Sequence, residues 1–475
     1  MKRQQQGRCR ARVRSRRLSD RARCAHQRRP VSAVRREVDV RQDADWQQVL
    51  AAVPAELETL AREQGALARR REVRSAADLL RLVMVYAVGD LSLRLTAAWA
   101  TVAEVAALSD VALLGRLRHC LPWLQALVTA RLAAGGVDLP AAAGRRLRLI
   151  DGTAISGPGS AGTDWRVHLD YDPVGQRLTA IEVTDAHGGE SLTRAVFAPD
   201  DIAVADRGFC RARGIAHVRD QDADVVVRLN TGALPLFAAA RDDAPLDLAA
   251  WLETAPAGQA TARPVWIIAP ASADQPARWL PLRLIASRLD PTAANAARRR
   301  LRRQAKKHGH TPTQLSLQAA GFVLLLSSLD AQEWSAGDVL ALYRFRWQIE
   351  LVFKRWKGLL GFDHLRTQDD TLAQVCLLAR LLVALVIEHW SAALPPLFAS
   401  EAADSARPCS LWRCFAAWVA HARQAVLGHL SLAAWIAALP HLQRFLCDSP
   451  RRRPSQAAEA RAFQRLTHQT NLAAS

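Results

Sequence analysis

Two short segments of the sequence each place a carboxylate at the end of an apolar β-strand pattern. In the segment 147–152, Asp151 shares a face with two leucines and is followed by a glycine. In the segment 202–208, Asp206 shares a face with two apolar residues and a turn follows. A carboxylate on the core-facing side of a strand is costly unless a cation or hydrogen-bond donors compensate it. Either aspartate alone could cap a turn or a helix, but two at adjacent strand ends predict a divalent cation that offsets their repulsion.

A third carboxylate lies in the segment 343–357, which has a helical pattern. At 100° per residue, its polar side chains fall within a stripe of about 80°. These side chains are Tyr343, Arg346, Glu350, Lys354 and Lys357. The predicted buried face consists of Phe345, Ile349, Val352, Trp356 and Leu360. A solvated face opposite a core face is the usual explanation of such a pattern, whereas one acid among three bases and a phenol favours a metal-binding carboxylate surrounded by phosphate contacts.

The three carboxylates together suggest a particular chemistry. Asp151, Asp206 and Glu350 would supply the hard oxygen ligands that Mg²⁺ and Mn²⁺ prefer. Two such ions about 3.5–4 Å apart can activate a water or a 3′-hydroxyl and stabilise the leaving oxygen of a phosphodiester. The residues expected to hold the flanking DNA phosphates are Tyr343, Arg346, Lys354 and Lys357.

These residues resemble the DDE transposases of bacterial insertion sequences, in the insertion-sequence-4 family. The helix matches the family signature Y-x2-R-x3-E-x6-K at Tyr343, Arg346, Glu350 and Lys357. The segments 150–153 and 205–209 are similar to the motifs around the family's first and second aspartate, and all three motifs occur in the family's order.

The resemblance implies a fold, an activity and partners. It implies an α/β fold with an RNase H-like catalytic core, and Mg²⁺-dependent cut-and-paste transposition in which Mn²⁺ can replace Mg²⁺. The expected partners are double-stranded DNA, both as terminal inverted repeats and as target, and a second copy of the chain in a homodimeric synaptic complex.

The secondary-structure elements that position these residues can be predicted from the pattern of apolar and polar residues. Short β-like segments are predicted at 146–151, 165–171, 177–184, 201–206 and 224–229, with helical stretches near 191–196 and 210–220. Three strands, a helix, a strand, a helix and a strand indicate a mixed α/β sheet. Upstream the pattern is helical, and Ser109 predicts the start of a helix over 109–118.

With the core and the insertion that the resemblance implies, we divide the chain into six parts. They are a basic leader at 1–44, a helical N-terminal domain at 45–144 that could bind DNA ends, the first core part at 145–230, a β-rich insertion at 231–333, the second core part with the glutamate helix at 334–400, and a helical C-terminal region at 401–475. The insertion includes strand candidates at 265–269 and 280–286, a basic stretch at 298–307 and an apolar run at 322–326.

The charge of the chain indicates a polyanionic partner. The net charge is +19, from 64 basic and 45 acidic residues. The first 40 residues hold fourteen bases against three acids, so more than half of the excess lies in the leader. The leader is therefore either a solvated tail or a phosphate-binding arm, and the rest of the chain is only mildly basic.

Other features exclude several classes of protein. The eight cysteines form no C-x-x-C pair, which argues against a disulfide framework or a structural zinc. The N-terminus is arginine-rich where a signal peptide would be apolar. The most apolar stretch, 375–387, is interrupted by Arg380 and is shorter than the ~20 residues that cross a bilayer. We expect a cytoplasmic protein without a membrane partner, associated with the nucleoid when bound to DNA.

Two alternatives to a transposase stay open. One is a divalent-metal nuclease on the same fold, which would cleave DNA without strand transfer. The other is a non-catalytic DNA-binding remnant that occupies the ends of related elements and represses them.

Overall fold

The computed structural model describes residues 40–134, 145–175, 177–271, 276–392, 410–428, 430 and 432–446. Positions 1–39 of the predicted leader lie outside these residues. Helix α1 begins at Val40, four residues before the predicted end of the leader.

Within residues 40–134, six helices precede the first strand. They are α1 (Val40–Ala51), α2 (Leu57–Glu63), α3 (Ala76–Val88), α4 (Leu93–Val102), α5 (Asp110–His119) and α6 (Leu121–Ala134). The hydroxyls of Ser75, Ser92 and Ser109 accept hydrogen bonds from backbone N–H groups at the starts of α3, α4 and α5. The helix predicted from Ser109 is confirmed as α5.

Eight strands form a single mixed sheet. They are β1 (Arg146–Ile155), β2 (Trp165–Asp172), β3 (Arg177–Asp185), β4 (Asp201–Ala205), β5 (Asp224–Arg228), β6 (Ala260–Ala269), β7 (Arg278–Arg288) and β8 (Phe322–Ser327). Their order is β3-β2-β1-β4-β5-β8-β7-β6. The pairs β1–β4 and β4–β5 are parallel, and the other pairs are antiparallel. The predicted mixed α/β class is confirmed.

The segment predicted as an insertion contributes to this same sheet. Strand β8 pairs with β5, and β7 and β6 extend the sheet beyond it. The strand candidates at 265–269 and 280–286 lie in β6 and β7, and the apolar run at 322–326 forms β8.

Both faces of the sheet are buried. Successive side chains of a strand point to opposite faces, and here they belong alternately to two hydrophobic cores. Leu149, Val204 and Leu325 belong to the core shared with the N-terminal helices and the last helices of the chain. Ile150, Ala205 and Leu326 belong to the second core, which is covered by α7 (Ala212–Arg219) and α8 (Leu248–Thr254).

The remaining helices follow β7 and β8. They are α9 (Pro291–Lys307), α10 (Gln314–Ala319), α11 (Ala336–Arg344), α12 (Trp347–Leu360), α13 (Asp370–Ala392), α14 (Leu411–Leu427) and α15 (Leu432–Leu446). The helical stretch predicted near 191–196 is only a 3-10 turn, Leu192–Arg194.

Helix α13 is longer than the apolar stretch predicted from the sequence. The 22 residues Asp370–Ser391 are long and apolar enough to cross a bilayer, but 83% of their most apolar window is buried inside the protein. Arg380 is compensated within this core, since its guanidinium donates to the carbonyl oxygens of Ala87, Gly361 and His364. Helix α13 is therefore packed as a core helix.

Candidate catalytic site beside the end of β4

The parallel pairing of β1 with β4 determines where the two aspartates lie. The pairing runs from Arg146 opposite Asp201 to Ile150 opposite Ala205, where β4 ends. Asp151 is thus the first residue of β1 beyond β4, and Asp206 is the first residue after β4. The prediction that β1 also ends at its aspartate was wrong. Strand β1 continues to Ile155 because β2 supplies antiparallel partners along this whole stretch, including Leu169 opposite Asp151.

Both aspartates accept hydrogen bonds from glycine N–H groups. Asp206 caps the 3-10 turn Arg207–Phe209 and accepts a hydrogen bond of 2.5 Å from Gly208. Asp151 accepts one of 2.8 Å from Gly152. These two bonds leave most of the lone pairs of the carboxylates free for other partners.

Asp151 is in an environment that disfavours its charge. Its side chain is only 13% exposed, and burial raises its pKa to about 7. The nearby negative charges of Asp206 and Glu190 also raise this pKa, while the Gly152 N–H and Arg346 oppose the shift. A carboxyl that is poorly compensated by its own protein is a candidate for binding a cation.

The predicted single helix over 343–357 is interrupted. Helix α11 ends at Arg344 and α12 begins at Trp347. At the junction the N–H groups of Phe345 and Arg346 donate to carbonyls three residues back, at Leu342 and Tyr343. This tighter winding changes the helical phase.

Because the helix is interrupted, the prediction that Phe345 belongs to the buried face was wrong. Phe345 is 51% exposed, whereas Ile349, Val352, Trp356 and Leu360 are buried as expected. The buried stripe of α12 therefore begins after the junction, and Phe345 and the half-exposed Trp347 face solvent beside the site.

Arg346 links the aspartate strand to the glutamate helix. Its Nη1 lies 3.5 Å from Asp151 Oδ2, and its Nη2 lies 2.5 Å from Glu350 Oε1. Its guanidinium carbon lies 5.8 Å from the centre of the Tyr343 ring. The structure thus brings together Asp151, Glu350, Arg346 and Tyr343.

Tyr343 and the two lysines lie around this centre. Burial raises the pKa of Tyr343 to about 12, with Arg346 opposing the shift, so its hydroxyl is a neutral donor at ordinary pH. Lys357 donates from Nζ to the carbonyl oxygen of Ala154, 3.3 Å away on β1. Lys354 is exposed, and its Nζ lies 4.3 Å from the centre of the Trp347 ring.

Glu190 is a fourth carboxylate that the sequence reasoning missed. The side chain of Glu190 lies so close to Gly208 that a Cβ on that glycine would collide with Glu190 Oε2. It also lies near Gly152, because a Cβ there would be 3.4 Å from Glu190 Cγ. Burial and the charge of Asp206 raise the pKa of Glu190, and Arg166 opposes this. Glu190 lies in the loop between β3 and the 3-10 turn Leu192–Arg194. Hydrophobic periodicity gives no signal in a loop. The one local feature of the sequence here is the glycine pair Gly188 and Gly189 directly before Glu190.

The carboxylate oxygens of this site are ligands of the type that a hard divalent cation prefers, but they are not arranged around a single point. Within the described residues, no three Asp, Glu, His or Cys side chains lie close enough to hold one ion. Arg346 holds Asp151 and Glu350 on its two arms. The buried Asp151 nevertheless lies near the negative charges of Asp206 and Glu190. A bound cation would reduce the repulsion among these carboxylates.

A cleft of about 900 Å³ opens beside these carboxylates. Its walls include Asp151, Thr153, Glu350, Lys354, Lys357, Arg366, Arg380 and Arg423. Asp90 and Asp363 also line the cleft, so it contains both acids and bases. The bases Lys354 and Lys357 beside Asp151 and Glu350 match a site where a phosphodiester strand approaches carboxylates.

A mixed sheet that places one carboxylate directly after β4 and another beside it on β1, next to a cleft that contains bases, fits chemistry on a phosphodiester. Residues 142–386, which contain both aspartates and Glu350, match the family described as Transposase DDE domain. Because this match spans more than half of the 475 residues, the chain belongs to the DDE transposase family.

Individual relatives agree with this assignment. The chain is 41% identical over 347 residues to InsL of insertion sequence element IS186A from Escherichia coli K12, covering 72% of this chain and 93% of InsL. It is also 41% identical over 348 residues to the transposase for insertion sequence element IS421 from Escherichia coli, with the same coverage. A solved piggyBac transposase synaptic complex with hairpin DNA matches 88% of this chain and 87% of its own at a TM-score of 0.42 and 10% identity.

Proposed function

We propose that this insertion-sequence transposase moves its element by a cut-and-paste route, using Asp151, Asp206 and Glu350 as ligands of Mg²⁺ or Mn²⁺. The observation that carries the proposal is the convergence of Asp151 and Glu350, 199 positions apart in the sequence, on the two arms of Arg346. Two bound ions would supply activation of a water or 3′-hydroxyl and neutralisation of charge on the leaving oxygen. Water attacks the phosphorus and breaks its bond to the 3′-oxygen at the element's end, which leaves a 5′-phosphate on the flanking DNA. The released 3′-hydroxyl then attacks a target phosphorus, forms a new phosphodiester and displaces the target's 3′-oxygen as a 3′-hydroxyl.

The other residues of the site serve to bind and orient DNA. Arg346 lies between Asp151 and Glu350, where it can exchange a carboxylate for a phosphate oxygen. The neutral Tyr343 hydroxyl can donate to a second phosphate oxygen. Lys354 and Lys357 line the cleft and supply flanking positive charge.

The fold supports the finer assignment to an RNase H-like core. Strands β1 to β3 are followed by β4, α7 and β5, and the five strands are ordered β3-β2-β1-β4-β5. This is close to the succession predicted from the sequence pattern, with a 3-10 turn in place of the first helix. Together with the Y-x2-R-x3-E-x6-K signature, it supports membership of the insertion-sequence-4 family.

The proposal includes the partners and the location of the reaction. The DNA partners are the terminal inverted repeats of the element and a target duplex. Two copies of the chain would hold the two ends in one synaptic complex, in the cytoplasm of the host cell.

The test uses the full-length protein, a labelled duplex that carries the element's end, and a target plasmid. We expect cleavage at the end and joined product in Mg²⁺, and neither product in EDTA. Cleavage without joining would favour a nuclease. Binding of the end without any metal-dependent cleavage would favour a non-catalytic repressor, and either result would overturn the proposal.

A further inference from the structure

Helix α9 carries a large positive charge that the fold does not use. Six of the ten residues from Arg298 to Lys307 are exposed bases, namely Arg299, Arg300, Arg302, Arg303, Lys306 and Lys307. The helix contains no acidic residue. Among the described residues, none of these six side chains forms a salt bridge or a hydrogen bond with a protein group.

The remaining face of α9 attaches it to the protein. Ala294 and Ala305 are its only fully buried residues. Arg298 donates from Nε to the carbonyl oxygen of Leu317, 3.1 Å away, so this one arginine is structural. At 100° per residue, the six exposed bases cover an arc of about 160°, and the buried alanines lie outside it.

The arrangement is unfavourable for the isolated helix. Like charges three and four residues apart, such as Arg299, Arg302 and Lys306, repel one another by a few tenths of a kcal/mol per pair. Neither an ion pair nor a buried apolar stripe offsets this repulsion, which a polyanion lying along the helix would remove.

The sheet topology places α9 at the same edge as the candidate catalytic site. Strand β7 runs parallel to β4 and β5, because β8 between them is antiparallel to both β5 and β7. The end of β7 at Arg288, from which α9 departs, therefore lies at the edge where Asp206 follows β4. Three strand spacings separate β4 from β7, which is about 14 Å.

We infer that α9 binds the phosphate backbone of the same DNA duplex that is cut at the carboxylates, at phosphates other than the scissile one. The bases from Arg299 to Lys307 span about 12 Å of helix, enough to contact two to four phosphates. This inference rests on the proposed function for its reacting site, and it adds a second contact surface on the duplex.

The test compares two variants that differ only in charge. The triple variant Arg299→Gln, Arg302→Gln, Arg303→Gln removes three charges, and the matched triple variant to Lys keeps them on the same exposed positions. Glutamine and lysine have similar helix propensities, so both variants preserve the helix. Far-ultraviolet circular dichroism and thermal melting of the full chain check this.

The readout is binding of the end duplex at several salt concentrations. We expect the glutamine variant to bind the duplex about 10- to 100-fold more weakly, with the slope of log K against log salt reduced by about 2 to 3. The lysine variant should keep the slope of the unmodified protein. Hydroxyl-radical footprinting should show that the glutamine variant loses protection at positions away from the cleavage position and retains it at the cleavage position.

Several results would overturn the inference. Unchanged affinity and slope would exclude a phosphate contact by α9. Normal end binding with weakened capture of the target plasmid would assign α9 to target DNA. A change in self-association alone would assign it to a subunit interface. Cleavage by the unmodified protein tests the proposed function separately, since α9 can fail as a contact surface while the carboxylates still cut DNA.

Discussion

Arg346 joins Asp151 on β1 to Glu350 on α12 through the two arms of a single guanidinium, at 3.5 and 2.5 Å. A fixed positive charge therefore occupies the space between two carboxylates that we assign as metal ligands. A divalent cation entering this site must compete with the guanidinium, whereas a phosphate can attract the guanidinium away from the carboxylates.

Removal of this charge should strengthen metal binding in the absence of DNA. At pH 8.5, where Asp151 is ionised, we expect Arg346→Gln to bind Mn²⁺ about 10-fold more tightly than the unmodified protein. Electron paramagnetic resonance of free Mn²⁺ during a titration measures this. Arg344→Gln, an exposed charge two residues away, is the control and should have no effect. Equal or weaker Mn²⁺ binding by Arg346→Gln would contradict this view of Arg346.

The raised pKa of Asp151 predicts how stability depends on pH. The folded protein holds this proton up to a pKa of about 7, whereas the unfolded chain releases it near 4. Between these values only the unfolded state is ionised, so the contribution of Asp151 to stability falls as pH rises from about 4 to about 7. In EDTA, Asp151→Asn should therefore be more stable than the unmodified protein at pH 8, by roughly 2–4 kcal/mol.

Urea unfolding at pH 5 and pH 8 measures this difference. We expect the advantage of Asp151→Asn to be clearly smaller at pH 5 than at pH 8. An advantage that does not change with pH would show that the carboxyl of Asp151 does not titrate in this range.

Glu190 should influence the titration of Asp151 and the metal site. Its negative charge raises the pKa of Asp151. We expect Glu190→Gln to shift the pH midpoint of Mn²⁺ binding downward by about half a unit, because removing a like charge favours ionisation of Asp151. Glu182→Gln, on a carboxylate of β3 that pairs with Arg194, is the matched control. The role of Glu190 would be refuted by identical midpoints in both variants and the unmodified protein.

A buried ion network at the other end of β1 supports the strand that carries Asp151. Arg148 pairs with Asp170, and its Nη1 donates to Asp201 at 2.7 Å. Both carboxylates are almost fully buried. Arg148→Met should destabilise the fold by about 3–5 kcal/mol, since it leaves buried charge uncompensated.

Arg146 provides the comparison for this measurement. It also pairs with Asp201, at 2.8 Å, but its side chain is 44% exposed. We expect Arg146→Met to cost only about 1 kcal/mol in urea unfolding. Equal losses for the two variants would mean that burial of the network does not determine its contribution.

Much of the sheet could be predicted from the sequence because alternation of apolar residues is a local signal. The segments 165–171 and 177–184 correspond to β2 and β3 within one residue at each end. The position of Asp206 directly after β4 could also be predicted, because the turn that follows it is a local signal in the sequence.

The errors arose where structure depends on a distant partner. Strand β1 passes beyond Asp151 because β2 pairs with it, whereas the sequence pattern predicted a strand that ends at Asp151. The junction between α11 and α12 keeps helical backbone angles, so nothing in the periodicity of the sequence marked it. Glu190 approaches the site only through folding of a loop against Gly208.

The most direct measurement of the central claim is strand cleavage by Glu350→Gln in Mg²⁺. The change removes one ligand charge and keeps the size of the side chain. The full-length variant is compared with the unmodified protein and with Glu333→Gln, an exposed glutamate before α11. We predict that Glu350→Gln binds the end duplex nearly normally, while its cleavage rate falls by at least about 10³-fold and Glu333→Gln cleaves normally. Cleavage by Glu350→Gln at the rate of the unmodified protein would contradict the assignment of the site.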